Sequence, residues 1–198
     1  MLHDKNTLAL VKPFTSKDDL RPAMKCVNYD SEYICCTDGE ALIRVPNDTG
    51  VTGLYDLNGN AKDERFPDFR NVIRLDSPIK YTFSDVPELI KVLTALKNFH
   101  TFEMVAFQFG SHGCNILAES DTFSGEGKAC LGGTAVEPFT IGFKASNLIK
   151  ALKAYQTTHG TKTHVTFNMQ APNRALQIET SSLFLLVMPM MLAAHYEQ

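Results

Sequence analysis

Apolar and polar positions divide this chain into short alternating runs and two longer runs of helical period. Residues 7–14 (TLALVKPF) alternate loosely and predict a first strand. Residues 24–29 (MKCVNY), 33–36 (YICC) and 41–45 (ALIRV) predict three more, joined by polar turns at residues 30–32 and 37–40. Gly39 leaves the second turn free to take a positive φ. Residues 1–46 therefore read as a β-meander. Residues 47–61, rich in Gly, Asn and Asp, predict a loop. Residues 63–75 (DERFPDFRNVIRL) predict an ordered connector packed by its aromatics, since Pro67 opposes a regular helix.

The pattern then repeats. Residues 79–83 predict a strand and residues 85–98 a helix, with Asp85 as N-cap, Glu88 three residues on and Pro87 in the first turn. Val86, Leu89, Ile90, Leu93 and Leu96 form its apolar stripe. Strands follow at 103–109, 115–118 and 127–131. The same order returns with a strand at 139–143 and a helix at 146–155 that Ser146 is placed to cap. Strands at 163–169, 176–180 and 183–188 complete it. The match is visible in FSDVPELIKVLTALK against FKASNLIKALKAY. Two β-α-β-β-β units, 78–131 and 137–192, predict an α+β domain with antiparallel sheets and both helices on one side. The first 46 residues read as a third, degenerate unit that has lost its helix. The expected organisation is a half-domain at 1–46, a linker and connector at 47–76, a complete domain at 77–192 and a tail at 193–198.

Composition narrows the function classes. Hydrophobic content of 44% with 21% charged residues is ordinary for a globular chain. A net charge of −3 excludes an overall basic nucleic-acid binder but leaves room for a local basic face. No apolar run approaches the roughly 18 residues of a membrane span, and no signal sequence opens the chain, so a cytoplasmic protein is expected. The five cysteines include no C-x-x-C pair, which speaks against a zinc site or a disulfide framework. The six histidines are scattered, and neither H-E-x-x-H, G-x-S-x-G nor a phosphate-binding glycine loop occurs. Asp63, Glu64 and Asp68 suit a solvated connector better than a metal site. Catalysis, metals and cofactors are not expected.

The closing stretch, residues 176–192 (LQIETSSLFLLVMPMML), reads on its residues alone as a core strand. Its methionines around Pro189 also suit a groove that adapts to varied partners. Three stretches then carry a resemblance, in order. They are residues 36–45 (CTDGEALIRV), residues 65–72 (RFPDFRNV), and the closing LQIE and VMPMML at 176–179 and 187–192. Together they resemble the bacterial DNA sliding clamp, the beta subunit of DNA polymerase III. The family has A-T-D-G-H-R-L-A-V, R-F-P-D-Y, and V-Q-I-E with V-M-P-M-R-L at these places.

This resemblance implies the sliding-clamp fold over residues 19–192. Residues 78–192 would match the family's third domain and residues 24–46 the first half of its second, with no counterpart of its first. It implies a groove for clamp-binding peptides, with Thr37, Gly39 and Leu42 on one wall and Leu186, Val187, Met188, Pro189 and Met190 on the other. It implies that Lys91 and Lys97 on one helix, and Lys150 and Lys153 on the next, face DNA phosphates. Glu40 and Ala41 stand where the family has His and Arg, and Met191 where it has Arg. The implied function is a non-catalytic processivity or docking factor for replication or repair proteins, with duplex DNA as a second candidate partner. The alternative is an adaptor or competitor that binds peptides without DNA. Open sheet edges lead to the expectation of a homo-oligomer.

Overall fold

A computed structural model describes residues 4–73, 76–122, 124–134, 136–161 and 163–192. The expected tail at 193–198 lies outside the described residues. Two units of identical order form the larger part. The first runs β6 (Ile79–Phe83), α2 (Val86–Leu96), β7 (Met104–Gly110), β8 (Gly113–Glu119) and β9 (Glu126–Leu131). The second runs β10 (Phe139–Lys144), α3 (Ala145–His159), β11 (Val165–Met169), β12 (Leu176–Glu179) and β13 (Phe184–Val187). Each unit lends its first strand to the other. β6 pairs antiparallel with β11, and β10 with β7. The exchange sets Phe83 against Val165 and Phe143 against Val105 in two sheets that share one core.

The preceding segment is built on the same plan, with one correction to the sequence reading. Residues 7–14 are not a strand. They belong to helix α1 (Lys5–Val11) and the 3-10 turn Lys12–Phe14 that follows it. Asp4 caps the helix, accepting a hydrogen bond from the Thr7 backbone N–H at 2.9 Å. The alternation of Leu8 and Leu10 imitates a strand, but Val11 and Phe14 are the fully buried residues, at helical spacing from Leu8. This segment has therefore kept its helix, and no strand precedes that helix among the described residues. Its meander is β1 (Val27–Tyr29), β2 (Tyr33–Thr37) and β3 (Ala41–Pro46).

Where a complete unit would receive a strand from its partner, β1 receives β4 (Gly53–Tyr55). β4 in turn pairs with β5 (Ala61–Lys62). This hairpin occupies part of the segment read from sequence as a loop. Its turn is fastened by Asp56, which accepts from the Asn58 and Asn60 backbones and the Asn60 side chain. These bonds hold the Asp56 carboxyl down at about 2.

β3 pairs with β13, so meander and complete domain form one nine-stranded sheet, ordered β5-β4-β1-β2-β3-β13-β12-β11-β6. The second sheet runs β14-β10-β7-β8-β9, where β14 (Pro189–Met190) is the end of the closing stretch. The chain thus changes sheets at Met188, whose backbone N–H is taken by the Glu40 carbonyl at 2.8 Å. α3 packs against α2 and over β10, β13 and β3. It starts one residue before Ser146, which is not its cap. Lys144 holds that position without a side-chain hydrogen bond. No helix among the described residues is long and apolar enough to cross a membrane.

Candidate functional site

Alternation along the β3–β13 seam sorts the predicted groove residues onto two faces. The register sets Leu186 opposite Leu42 and Val187 opposite Ala41. Val187, Leu185, Ala41 and Ile43 point into the main core. Leu186, Leu42, Phe184, Cys35 and Ala175 point the other way and make a second apolar cluster on the outer face of the sheet. Val187 is therefore a core residue and not part of a wall. Leu42 and Leu186, each 2% exposed, are the floor of the outer cluster. Phe66, Phe69, Ile73 and Met188 are half-buried against it.

The connector residues were not among the predicted site. Sequence showed that Phe66 and Phe69 must pack, but not on what. Here they meet edge to face, 6.2 Å between centroids, above the seam. Beyond them a cavity of ≈ 410 Å³ runs from Phe69 and Ile73 to Tyr33 and Arg44. The Arg44 guanidinium lies 4.0 Å over the Tyr33 ring and 4.6 Å over Phe184, closing that end.

Thr37 and Gly39 build the β2–β3 turn. The buried Thr37 hydroxyl donates to the Ala41 carbonyl at 2.8 Å and accepts from the Gly39 N–H at 3.1 Å. Gly39 sits at φ +90, and a Cβ there would come within 2.8 Å of the Arg21 guanidinium. Both residues shape the seam rather than line its apolar floor.

Met188, Pro189 and Met190 line a separate pocket of ≈ 540 Å³ together with Glu40, Phe102, Glu103 and the first turn of α3. Met188 belongs both to this pocket and to the outer cluster, so it joins the two. Gly142 lets β14 lie against β10, because a Cβ there would meet the Met190 carbonyl at 2.8 Å and Leu192 at 2.6 Å. Glu103 has a positive φ of 56, and its backbone carbonyl accepts the first N–H of α3 at 2.8 Å.

The acidic residues of the turn are bound to α3. Glu40 accepts from Asn147 Nδ2 at 2.9 Å and from Lys144 Nζ at 3.0 Å. The Asn147 hydrogen bond, followed by Lys144, holds the Glu40 carboxyl below its ordinary value. Asp38 pairs with Lys150, and both side chains are largely buried. The negative charge that Glu40 brings where the family has His, and that of Asp38 beside it, is thus paired within the fold.

That pairing also changes the basic face. Lys150 is held by Asp38 and lies 5.1 Å over the Phe14 ring, so it is not presented to solvent as Lys91 and Lys153 are. Lys97 is half-buried. Lys91, Lys97 and Lys153 have no ion-pair partner among the described residues. α1 adds exposed Lys5, with Lys12 just beyond its end, and flanks α3 across a groove of ≈ 740 Å³. Among the described residues no cluster of three His, Cys, Asp or Glu side chains could hold a metal.

No protein-family model and no curated protein sequence matches the chain. Solved structures do. A C. crescentus beta sliding clamp superposes with a TM-score of 0.81 at 14% identity, over 94% of this chain and 63% of that one. A Pseudomonas aeruginosa DNA polymerase sliding clamp gives 0.81 at 15%, with the same coverage. The DNA polymerase III subunit beta of Bartonella birtlesii, bound to griselimycin, gives 0.82 at 14%, over 95% of this chain and 63% of that one. The chain spans less than two thirds of the length of each. These likenesses, over nearly all of the chain, show that it is built on the fold of the bacterial beta sliding clamp.

Proposed function

We propose that this chain is a non-catalytic docking factor of the sliding-clamp type, binding short clamp-binding peptides of replication or repair proteins at the β3–β13 seam. The outer cluster carries this reading. Leu42 and Leu186 form an apolar floor beside the half-buried Phe66, Phe69 and Ile73, and Met188 continues it into the Pro189–Met190 pocket. A concave apolar floor with a few polar groups at its rim suits a peptide with apolar anchors. Griselimycin, bound by the Bartonella birtlesii clamp, and a clamp-binding peptide are the two probes. Calorimetric titration should register binding that Met190→Glu abolishes. A folded chain that binds neither probe would falsify the reading.

Duplex DNA is the second partner in this proposal, and the presence of α1 supports it. With α1 kept, exposed Lys5, Lys12, Lys91 and Lys153 are distributed over the three-helix side, and such cations attract phosphate without regard to sequence. A filter or anisotropy assay at low salt tests it. If duplex affinity is absent there, the chain acts as a peptide-binding adaptor or competitor. In either case we take the working form to be a homo-oligomer.

A further inference from the structure

We infer that Arg44 is a carboxylate anchor, and that a peptide docked on the β3–β13 seam ends there, with its C-terminal carboxylate held by Arg44 and Arg70. This rests on the peptide reading of the seam and adds the direction and the terminus of the partner chain.

Arg44 is half-buried on the outer face of β3, opposite Phe184 on one side and Cys35 on the other. Its guanidinium lies over the Tyr33 and Phe184 rings, at 4.0 and 4.6 Å. Aromatic faces hold a guanidinium by its plane and leave its edge to donate hydrogen bonds. Here that edge is unused. Arg44 has no ion pair among the described residues, and its Nε is buried without a hydrogen-bond partner. A buried donor left unmade on a cation is costly, so an arginine kept in this state calls for an anionic ligand.

The cavity of ≈ 410 Å³ beside it narrows the chemistry. Arg70, Asp30 and Glu32 line it together with Arg44 and with the apolar Phe69 and Ile73. Asp30 is already engaged, since its Oδ1 accepts from the Glu32 and Tyr33 N–H groups at 2.8 and 2.7 Å. Two guanidinium groups against two carboxylates leave no surplus for a doubly charged phosphate. A single carboxylate, by contrast, matches the two-pronged edge of one guanidinium. Position also separates this site from the duplex. Ile43 packs into the main core with Leu148 and Leu152 of α3, so the next residue, Arg44, points away from the helix side.

The closed end selects a chain terminus. The apolar floor runs from Met188 over Leu186 and Leu42 to Phe184, and the stacked Arg44 closes it. An acidic side chain in mid-peptide would require the chain to continue past that stack, whereas a last residue needs no exit. Phe69 and Ile73 offer its side chain apolar contact. Capture of a terminal carboxylate is a recurring mode of peptide recognition.

The test titrates one clamp-binding peptide into the full chain by calorimetry, in three forms. The first ends at its last apolar anchor with a free carboxylate, the second ends there with an amide, and the third is the free acid extended by glycines. We expect the free acid to bind about tenfold tighter than the amide, and the extended form to bind like the amide. Arg44→Gln should bring the acid-to-amide ratio close to one. Arg44→Lys should keep only part of it, since an ammonium carries the charge without the fork. Glu32→Gln should raise the ratio by removing a competing carboxylate. Equal affinity of acid and amide, a preference that survives Arg44→Gln, or an extended form as tight as the free acid overturns the inference and leaves the seam reading in place. If none of the three forms binds, the seam reading falls and this inference falls with it.

Discussion

Asp38 in the β2–β3 turn and Lys150 in α3 form an ion pair that fastens the meander to the complete domain. Their side chains are 22% and 13% exposed. Asp38 also accepts from the backbone N–H groups of Glu40 and Ala41, at 3.0 and 2.9 Å, so it shapes the turn as well as pairing across the seam. Asp38→Asn preserves the turn bonds and removes only the charge. We expect Lys150→Met and Asp38→Asn each to cost about 1–3 kcal/mol, because each leaves a partly desolvated partner uncompensated. The double substitution should cost less than the sum, and a double-mutant cycle in urea measures the difference.

Glu40 gives the same seam a pH dependence. Its folded-state pKa lies below the ordinary 4.5, mainly through Asn147 and then Lys144. A depressed carboxylate stabilises the fold fully above the unfolded-state value, and that contribution is lost as pH falls through the folded value. The urea midpoint should therefore drop between about pH 5 and pH 3. In Glu40→Gln the drop should be shallower, and the two curves should converge at the acid end. Parallel curves would mean that Glu40 contributes nothing to the seam.

The duplicated unit was legible because its signals agree. Asp85 caps α2 as its position suggests, accepting the Glu88 N–H at 2.9 Å, and Val86, Leu89, Leu93 and Leu96 are buried as the helical period requires. The first helix was not legible, since seven residues span two turns and Leu8 and Leu10 satisfy a strand alternation equally well. The β4–β5 hairpin was hidden by its length, three residues and two in a segment of turn-forming composition. In the candidate site, Met188, Pro189 and Met190 line one pocket with Glu40 and Glu103. The two-residue period could have separated Val187 from Leu186 without any structure. Phe66, Phe69 and Ile73 could not have been assigned, because only the tertiary fold lays the connector on the outer face of the seam.

Gly142 tests whether β14 is needed at the pocket. An added methyl would collide with backbone at the Met190 carbonyl, which cannot rotate away as a side-chain end can. Gly142→Ala should therefore cost about 1–3 kcal/mol and displace residues 189–190 from β10. Hydrogen exchange should quicken at Met190 and leave β11 and β12 unchanged. Griselimycin binding should weaken with it.

On the helix side, the lysines divide by their pairing. Lys91→Ala and Lys153→Ala should each lower duplex affinity and reduce the salt slope by up to about 0.9. Lys150→Met should leave the slope nearly unchanged, because Asp38 already occupies that ammonium. Lys5→Ala and Lys12→Ala should behave like Lys91→Ala if α1 takes part in the contact. Titrations at several salt concentrations give all of these slopes. A Lys150→Met effect as large as that of Lys153→Ala would show that the ion pair opens on DNA.

Met188 and Val187 are neighbours in sequence with opposite duties, and the contrast between them tests the seam directly. Val187 is buried in the main core, so Val187→Ala should cost about 1–3 kcal/mol in stability, mostly as lost burial and a residual cavity. Peptide affinity per folded molecule should stay the same. Met188 is half-buried and shared by the outer cluster and the Pro189–Met190 pocket. Met188→Ala should cost about 1 kcal/mol or less in stability, since the side chain is already partly in solvent. It should lower griselimycin or peptide affinity about tenfold, by opening the wall that joins the two halves of the groove. Urea melts paired with calorimetry on both variants give the comparison. If Val187→Ala proves to be the affinity variant and Met188→Ala the stability variant, the outer face is not where the peptide docks.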